Sequence, residues 1–164
     1  MEVKVIDVQV GTYRGLNVEA KDETSYINGL INQIIANSFY VLDEEDVANN
    51  ADRIEQELKI RLEKEKKSVG AFCYLNGIIE DELNEYCADE YARGKVEDSI
   101  LLTIARLESI TVNETDIILQ KAQRIVSNDK IVFNDELDEE SIHMAVLTKK
   151  ILQFLMAENT WVHV

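Results

Sequence analysis

The chain has 164 residues, no proline, six glycines and a formal net charge of -15. That length suits one domain or two small ones and can bury a core without disulfides or metals, and 46% hydrophobic with 30% charged residues excludes a disordered polymer. The lack of proline argues against a many-turned β-sandwich. The 32 acidic against 17 basic residues argue against nucleic-acid binding and against docking on an anionic membrane, both of which need a cationic face.

Val3, Val5, Val8 and Val10 alternate with polar neighbours, which is a strand period. After a turn at Gly11, Leu16 and Val18 mark a second extended stretch over Gly15–Glu19. Two such short pieces predict a β-hairpin or one bent edge strand, and strand is expected only in the first thirty or so residues. The opening stretch carries charges among its apolar residues and has no small-residue cleavage site, so it does not read as a signal peptide. No apolar run approaches the ~20 residues of a membrane span. Cys73 and Cys87 form neither a disulfide framework nor a zinc spacing and are expected as packing residues. These features predict a soluble cytoplasmic protein.

Helical periods take over near residue 22. Tyr26, Ile27, Leu30, Ile31, Ile34 and Ile35 predict a helix over 23–37, with Asp22 or Thr24 as its cap. Phe39–Leu42 reads as an extended link. Asp43 then caps a helix that opens on three acids and runs through Val47, Ala51, Ile54, Leu58 and Leu62 to about residue 67. Ser68–Leu75 is a short helical piece closed by Asn76 and Gly77. Apolar residues from Ile78 to Leu107 keep helical spacing to about Ser109, which predicts a helix of roughly 48 Å unless it kinks near Gly94. A compact domain of this size has a radius of gyration near ~15 Å, so a helix of that length predicts an elongated bundle with arms. Asn113 caps the next helix, residues 127–140 read as an acid-rich loop, and a last helix runs from about Ser141 to Glu158. Ile100, Ile104, Ile151 and Phe154 are assigned to one core. The whole reads as a single, mainly α domain over 1–164, with a β segment at 1–21 and a helical body and arms at 22–158.

Catalytic constellations are not evident. There is no phosphate-binding glycine loop and no nucleophile elbow, and the two histidines, His143 and His163, lack a ligand spacing. The acid clusters Asp43–Asp46 and Asp135–Glu140 lack the pattern of a calcium loop and read as caps and solubilising surface. The basic run Lys59–Lys67 is interleaved with glutamates and reads as a helix end whose cations oppose the dipole. No enzyme activity and no cofactor or metal are expected.

The stretch Lys95–Ile117, an apolar Leu/Ile cluster followed by alanine, an Ile110-Thr111-Val112 step and an acid-rich capped helix, resembles the C-terminal domain of the bacterial ribosome-associated chaperone trigger factor. Lys150–Leu155 followed by Glu158 and Asn159 is similar to that family's closing helix, and Gly11–Glu19 is similar to its G-x-Y-K-G-L-x-V-E segment. The resemblance covers Val8 to about Asn159. It departs from the family in lacking the G-F-R-x-G-K-x-P ribosome-docking signature and the prolyl isomerase domain, so neither ribosome binding nor isomerase activity is expected. What the resemblance implies is a helical cradle that holds unfolded or partner polypeptide on an apolar surface, without chemistry. Candidate lining residues are Phe39, Tyr40, Phe72, Tyr74, Leu75 and Met144. Phe72, Tyr74 and Leu75 are expected at a crevice mouth, where Phe72→Ala leaves stability nearly unchanged. Two alternatives stay open: a homodimeric structural or assembly protein, and an acidic inhibitor of a basic, nucleic-acid-binding partner.

Overall fold

A computed structural model describes residues 5–127 and 139–164. In chain order the elements are β1 (Val5–Gln9), β2 (Asn17–Ala20), α1 (Glu23–Asn37), β3 (Phe39–Leu42), α2 (Glu44–Lys64), α3 (Val69–Leu75), a 3₁₀ turn (Glu80–Glu82), α4 (Leu83–Leu107), α5 (Glu114–Ser127), α6 (Glu139–Glu158) and β4 (Thr160–His163). The protein is therefore mainly helical. Of the stretch expected as an acid-rich loop, Ser127 ends α5, Glu139 and Glu140 open α6, and residues 128–138 lie outside the described residues. Two compact units divide the chain: a first built from the residues up to Gln9 and Phe39–Ser99, and a second from Val10–Ser38 and Ile100–Val164.

The expected hairpin does not form. β1 pairs with β3, antiparallel, with Val8 opposite Tyr40 and Gln9 opposite Phe39, and a bulge between Val5 and Asp7. β2 pairs instead with β4, parallel, from Asn17 opposite Thr160 to Ala20 opposite His163. The reason lies at Gly11, whose N–H donates to Ser38 Oγ at 2.9 Å. A Cβ at this position would stand 1.9 Å from the carbonyl oxygen of Asn37. The turn is thus seated against the end of α1 and does not fold β2 back on β1. Strand is also not confined to the first thirty residues, since β3 and β4 lie beyond them.

The first unit is organised by local signals. The Asp43 carboxylate accepts the N–H groups of Glu45 and Asp46 at the start of α2, and Ser68 Oγ accepts that of Ala71 at the start of α3. Both helices end by turning the chain through the left-handed region, at Lys66 (φ 56°) and Gly77 (φ 68°). In each case the next N–H reaches back to an orphan carbonyl, Lys67 to Leu62 at 2.8 Å and Ile78 to Cys73 at 3.0 Å. These turns bring Leu58 and Leu62 of α2 onto Cys73 of α3 and Leu83 and Cys87 of α4, all of them buried. α4 remains helical through Gly94.

The second unit is stitched from distant segments. Val18 and Ala20 of β2 are buried with Tyr26 and Leu30 of α1, and Trp161 of β4 packs against them. The Trp161 ring stacks on Tyr26 with centroids 5.4 Å apart, and its Nε1–H donates to the Ala20 carbonyl. Asn159 joins the end of α6 to the approach of β2. Its Oδ1 accepts the Leu16 N–H at 2.8 Å, while Nδ2 donates to the carbonyls of Tyr13 at 3.0 Å and Leu155 at 2.7 Å. Asn113 and Asp116 cap α5 reciprocally, and Lys150 of α6 donates to both Asp116 and the Thr111 carbonyl. Ile100, Ile104 and Ile151 are buried, as expected, but Phe154 is only half-buried. Leu155 takes the buried place, four residues on from Ile151 on the same helix face, and Phe154 sits at the margin beneath the Arg14 guanidinium, 5.2 Å from its ring centroid.

Two predictions follow from the caps and the Asn159 junction. Lys66 and Ser109 (φ 53°), the latter closing α4, hold a conformation that disfavours a side chain. Lys66→Gly and Ser109→Gly should each raise the urea midpoint by the equivalent of about 0.5–1 kcal/mol. Asn159→Ala strands the Leu16 N–H and the Tyr13 carbonyl and should lower unfolding free energy by about 1–3 kcal/mol in the same measurement.

Candidate functional site

The described residues show their most exposed apolar groups at the end of α3. Tyr74 is 85% and Leu75 82% exposed, and Ile79, just past the Gly77 turn, is also exposed. The cause is local. A seven-residue helix offers one buried face, taken here by Cys73, and the turn at Gly77 follows before another face can be covered.

Beside this end lies a hollow of about 480 Å³. One wall is the end of α2 and its cap, with Arg61, Leu62 and then Glu65, and the other is α3, with Ala71, Phe72 and Leu75; Lys67 stands between. A second hollow of about 430 Å³ shares Arg61 and Phe72 with the first. It runs back along α2 past Leu58 to Ile54 and is closed by Tyr86 and Cys87 of α4. The lining positions on α2 recur three or four residues apart, so one helix face serves both.

The floor is apolar. Phe72 is half-buried, packs against the core, and meets Tyr86 edge to face at 6.1 Å. Burial pushes the Cys87 thiol above its ordinary value, with the negative charge of Glu55 adding to the effect, so it is a poor nucleophile. Burial likewise raises the Tyr86 hydroxyl. The rim is charged but mostly paired. Lys67 Nζ lies 2.8 Å from Glu65 and, through that hydrogen bond, holds the carboxyl below its usual range. Glu57 is paired with Arg53 at 2.7 Å. Among the described residues, no group of three His, Cys, Asp or Glu side chains could hold a metal ion. Nor is any described helix long and apolar enough to cross a membrane.

The six residues expected to line a polypeptide surface fall in three places. Phe72, Tyr74 and Leu75 share α3 in the first unit, with Phe72 and Leu75 in the hollow and Tyr74 outside its lining. Phe39, 60% exposed, and Tyr40 lie on β3 of the same unit. Met144 is exposed on α6 and belongs to the second unit. The sequence reading did not include Arg61, Leu62, Glu65, Lys67 or Ala71, which complete the hollow. Their signal was the basic run Lys59–Lys67, whose apolar face becomes a wall only when α3 is turned against it. No protein-family model matches the chain, and no curated protein matches it.

Phe72 is therefore both core support and lining, which differs from the crevice-mouth expectation. Phe72→Ala should cost about 2–3 kcal/mol of unfolding free energy, somewhat less than a fully buried phenylalanine. Leu75→Ser should stay within about 0.5 kcal/mol of the parent, because little of that side chain is packed. Chemical denaturation of the two variants checks both.

Proposed function

We propose that the chain is a non-enzymatic, chaperone-like binding module of the cytoplasm that holds unfolded or partner polypeptide on the apolar hollow between α2 and α3, in a helical cradle of the trigger-factor C-terminal type. The observation that carries this reading is the exposed apolar end of α3, with Tyr74 and Leu75 free beside a concave surface floored by Phe72. A monomeric soluble surface usually scatters its large apolar residues singly, and an apolar hollow rimmed by charge marks an interaction surface. The resemblance of Lys95–Ile117 and Lys150–Asn159 to trigger factor points the same way. Capture of this kind is weak and reversible, because ordering the bound segment offsets much of the gain from burying apolar area.

The test is suppression of aggregation of a chemically unfolded model protein, run at low and high salt. The parent chain at equimolar ratio should slow aggregation at both. The Tyr74→Ser, Leu75→Ser double variant should lose at least half of the effect with an unchanged unfolding midpoint. Suppression that vanishes at high salt would support an acidic decoy in place of apolar capture, and no suppression at either salt would end the proposal.

A further inference from the structure

Asparagine followed by glycine occurs twice in the chain, at Asn28-Gly29 and at Asn76-Gly77. A glycine has no side chain to shield its own backbone nitrogen, so that nitrogen can attack the asparagine amide before it. The fold treats the two pairs oppositely. Asn28 and Gly29 lie inside α1, with Glu23–Ile27 before them and Leu30–Asn37 after them in the same helix. Gly29 is also seated on β2, where an added Cβ would stand 2.6 Å from Val18. Bringing its nitrogen onto the Asn28 side chain would break α1 in the middle. Asn76 and Gly77 instead form the exposed turn after α3. Gly77 has a φ of 68°, and nothing crowds it on the side where a Cβ would stand. Three bonds hold this turn. The Gly77 N–H donates to the Tyr74 carbonyl at 3.2 Å and the Ile78 N–H to that of Cys73 at 3.0 Å. Asn76 Nδ2 donates to the Phe72 carbonyl at 2.8 Å. On the other side of the same amide, the Tyr86 hydroxyl donates to Asn76 Oδ1 at 3.4 Å. Burial raises that hydroxyl above its ordinary value, so it stays a donor at neutral pH.

We propose that Asn76 is a site of spontaneous covalent conversion, in which the Gly77 nitrogen attacks the Asn76 side chain and the product undoes the turn that ends α3. Asn76 has a ψ of 3°, which holds the Gly77 nitrogen away from Cγ, so attack waits for the turn to open. Opening breaks a few bonds at the end of a seven-residue helix and is a local event. Rotation about ψ then swings the Gly77 nitrogen toward Cγ while the side chain stays on Tyr86. The nitrogen gives its proton to solvent and forms a bond to Cγ, closing a five-membered ring. The Cγ–Nδ2 bond breaks, and Nδ2 leaves as ammonia with a proton from water. Water next opens the cyclic imide at either carbonyl. One product is aspartate, and the other is isoaspartate, whose backbone runs through the former side chain. Only water is consumed. Tyr86 sits on the oxygen that gains charge as the ring closes, which lowers the barrier. Either product puts a carboxylate where Nδ2 donated to Phe72, at the negative end of α3. Isoaspartate also lengthens the backbone by a methylene, so the Ile78 N–H no longer meets the Cys73 carbonyl. The site stands whether or not the hollow holds polypeptide.

The test is to incubate the full chain at neutral pH beside a free peptide of Ser68–Arg93, until the peptide is fully converted. Digest masses locate the change from amide to acid, and enzymatic methylation of isoaspartate counts that product. Conversion at Asn76 in the full chain should run within about tenfold of the peptide, the cost of a local opening, while Asn28 stays an amide. Ammonia should appear in equal measure, with both aspartate and isoaspartate at residue 76. Tyr86→Phe keeps the ring that packs on Phe72. At equal hydrogen exchange of the Ile78 N–H, it should slow conversion about threefold to fivefold, the worth of one hydrogen bond. The converted chain and Asn76→Asp should both unfold at a lower urea midpoint than the parent, the converted chain lower still. An Asn76 that is still an amide when the peptide is fully converted, or an Asn28 that converts as fast, would overturn the site. A rate equal to the peptide's and unmoved by Tyr86→Phe would reduce Asn76 to its bare dipeptide and overturn the part given to the fold. An unchanged midpoint after full conversion would overturn the loss of the turn.

Discussion

The parallel pairing of β2 with β4 is the constraint on which the chain's organisation depends. It joins Asn17–Ala20 to Thr160–His163, so nearly the whole sequence lies between its two strands. Loop closure over such a length is costly in entropy, though the cost grows only slowly with length. Four residues of parallel ladder cannot meet it alone. The pairing holds because side chains in and just before β4 are each used more than once. Trp161 covers Tyr26 with its ring and hydrogen-bonds Ala20 through its Nε1–H. Asn159, one residue before β4, binds three backbone groups and thereby fixes which residue meets which.

Given that closure, the first unit is free to form from a continuous stretch plus one strand. Its helices need no distant partner to define their ends. Asp43 and Ser68 supply acceptors at the starts of α2 and α3, and Lys66 and Gly77 turn the chain at their ends. The tightness of these turns sets α3 against α2, and the same tightness leaves the far side of a short helix uncovered. The hollow and the exposed Tyr74 and Leu75 are thus by-products of how the unit is capped. A longer α3 would have had a second turn with which to bury them.

Local chemistry was legible in the sequence, and long-range chemistry was not. The extent of α1 and its Asp22 cap, the Asp43 and Asn113 caps, and the stop at Gly77 follow from side chains within a few residues of the groups they satisfy. β3 and β4 were missed as strands because each is only four residues long and its partner is about thirty or more than a hundred and forty residues away. Phe154 and Leu155 are adjacent and both apolar. Which one faces inward is set by the rotation of α6 against its neighbours, and Arg14 covers the other. The hollow was half legible. Phe72 and Leu75 stand out as large apolar residues, whereas Arg61 and Ala71 gain their role from the angle between two helices.

The order of the units along the chain has a consequence for synthesis. The first unit is complete in sequence once Ser99 has been added, because β1, β3, α2, α3 and the part of α4 that belongs to it are by then present. The second unit opens at Val10, ahead of the helices of the first, but lacks its closing strand until Trp161 and His163 are made. A chain growing from its N-terminus therefore carries α1 with Tyr26 and Leu30 met only by Val18 and Ala20 of β2 while the first unit folds around its own core. The segment that begins the second unit waits longest for its partner. A nascent chain stopped short of Trp161 would hold a finished unit joined to an α1 whose Tyr26 still lacks the ring that stacks on it.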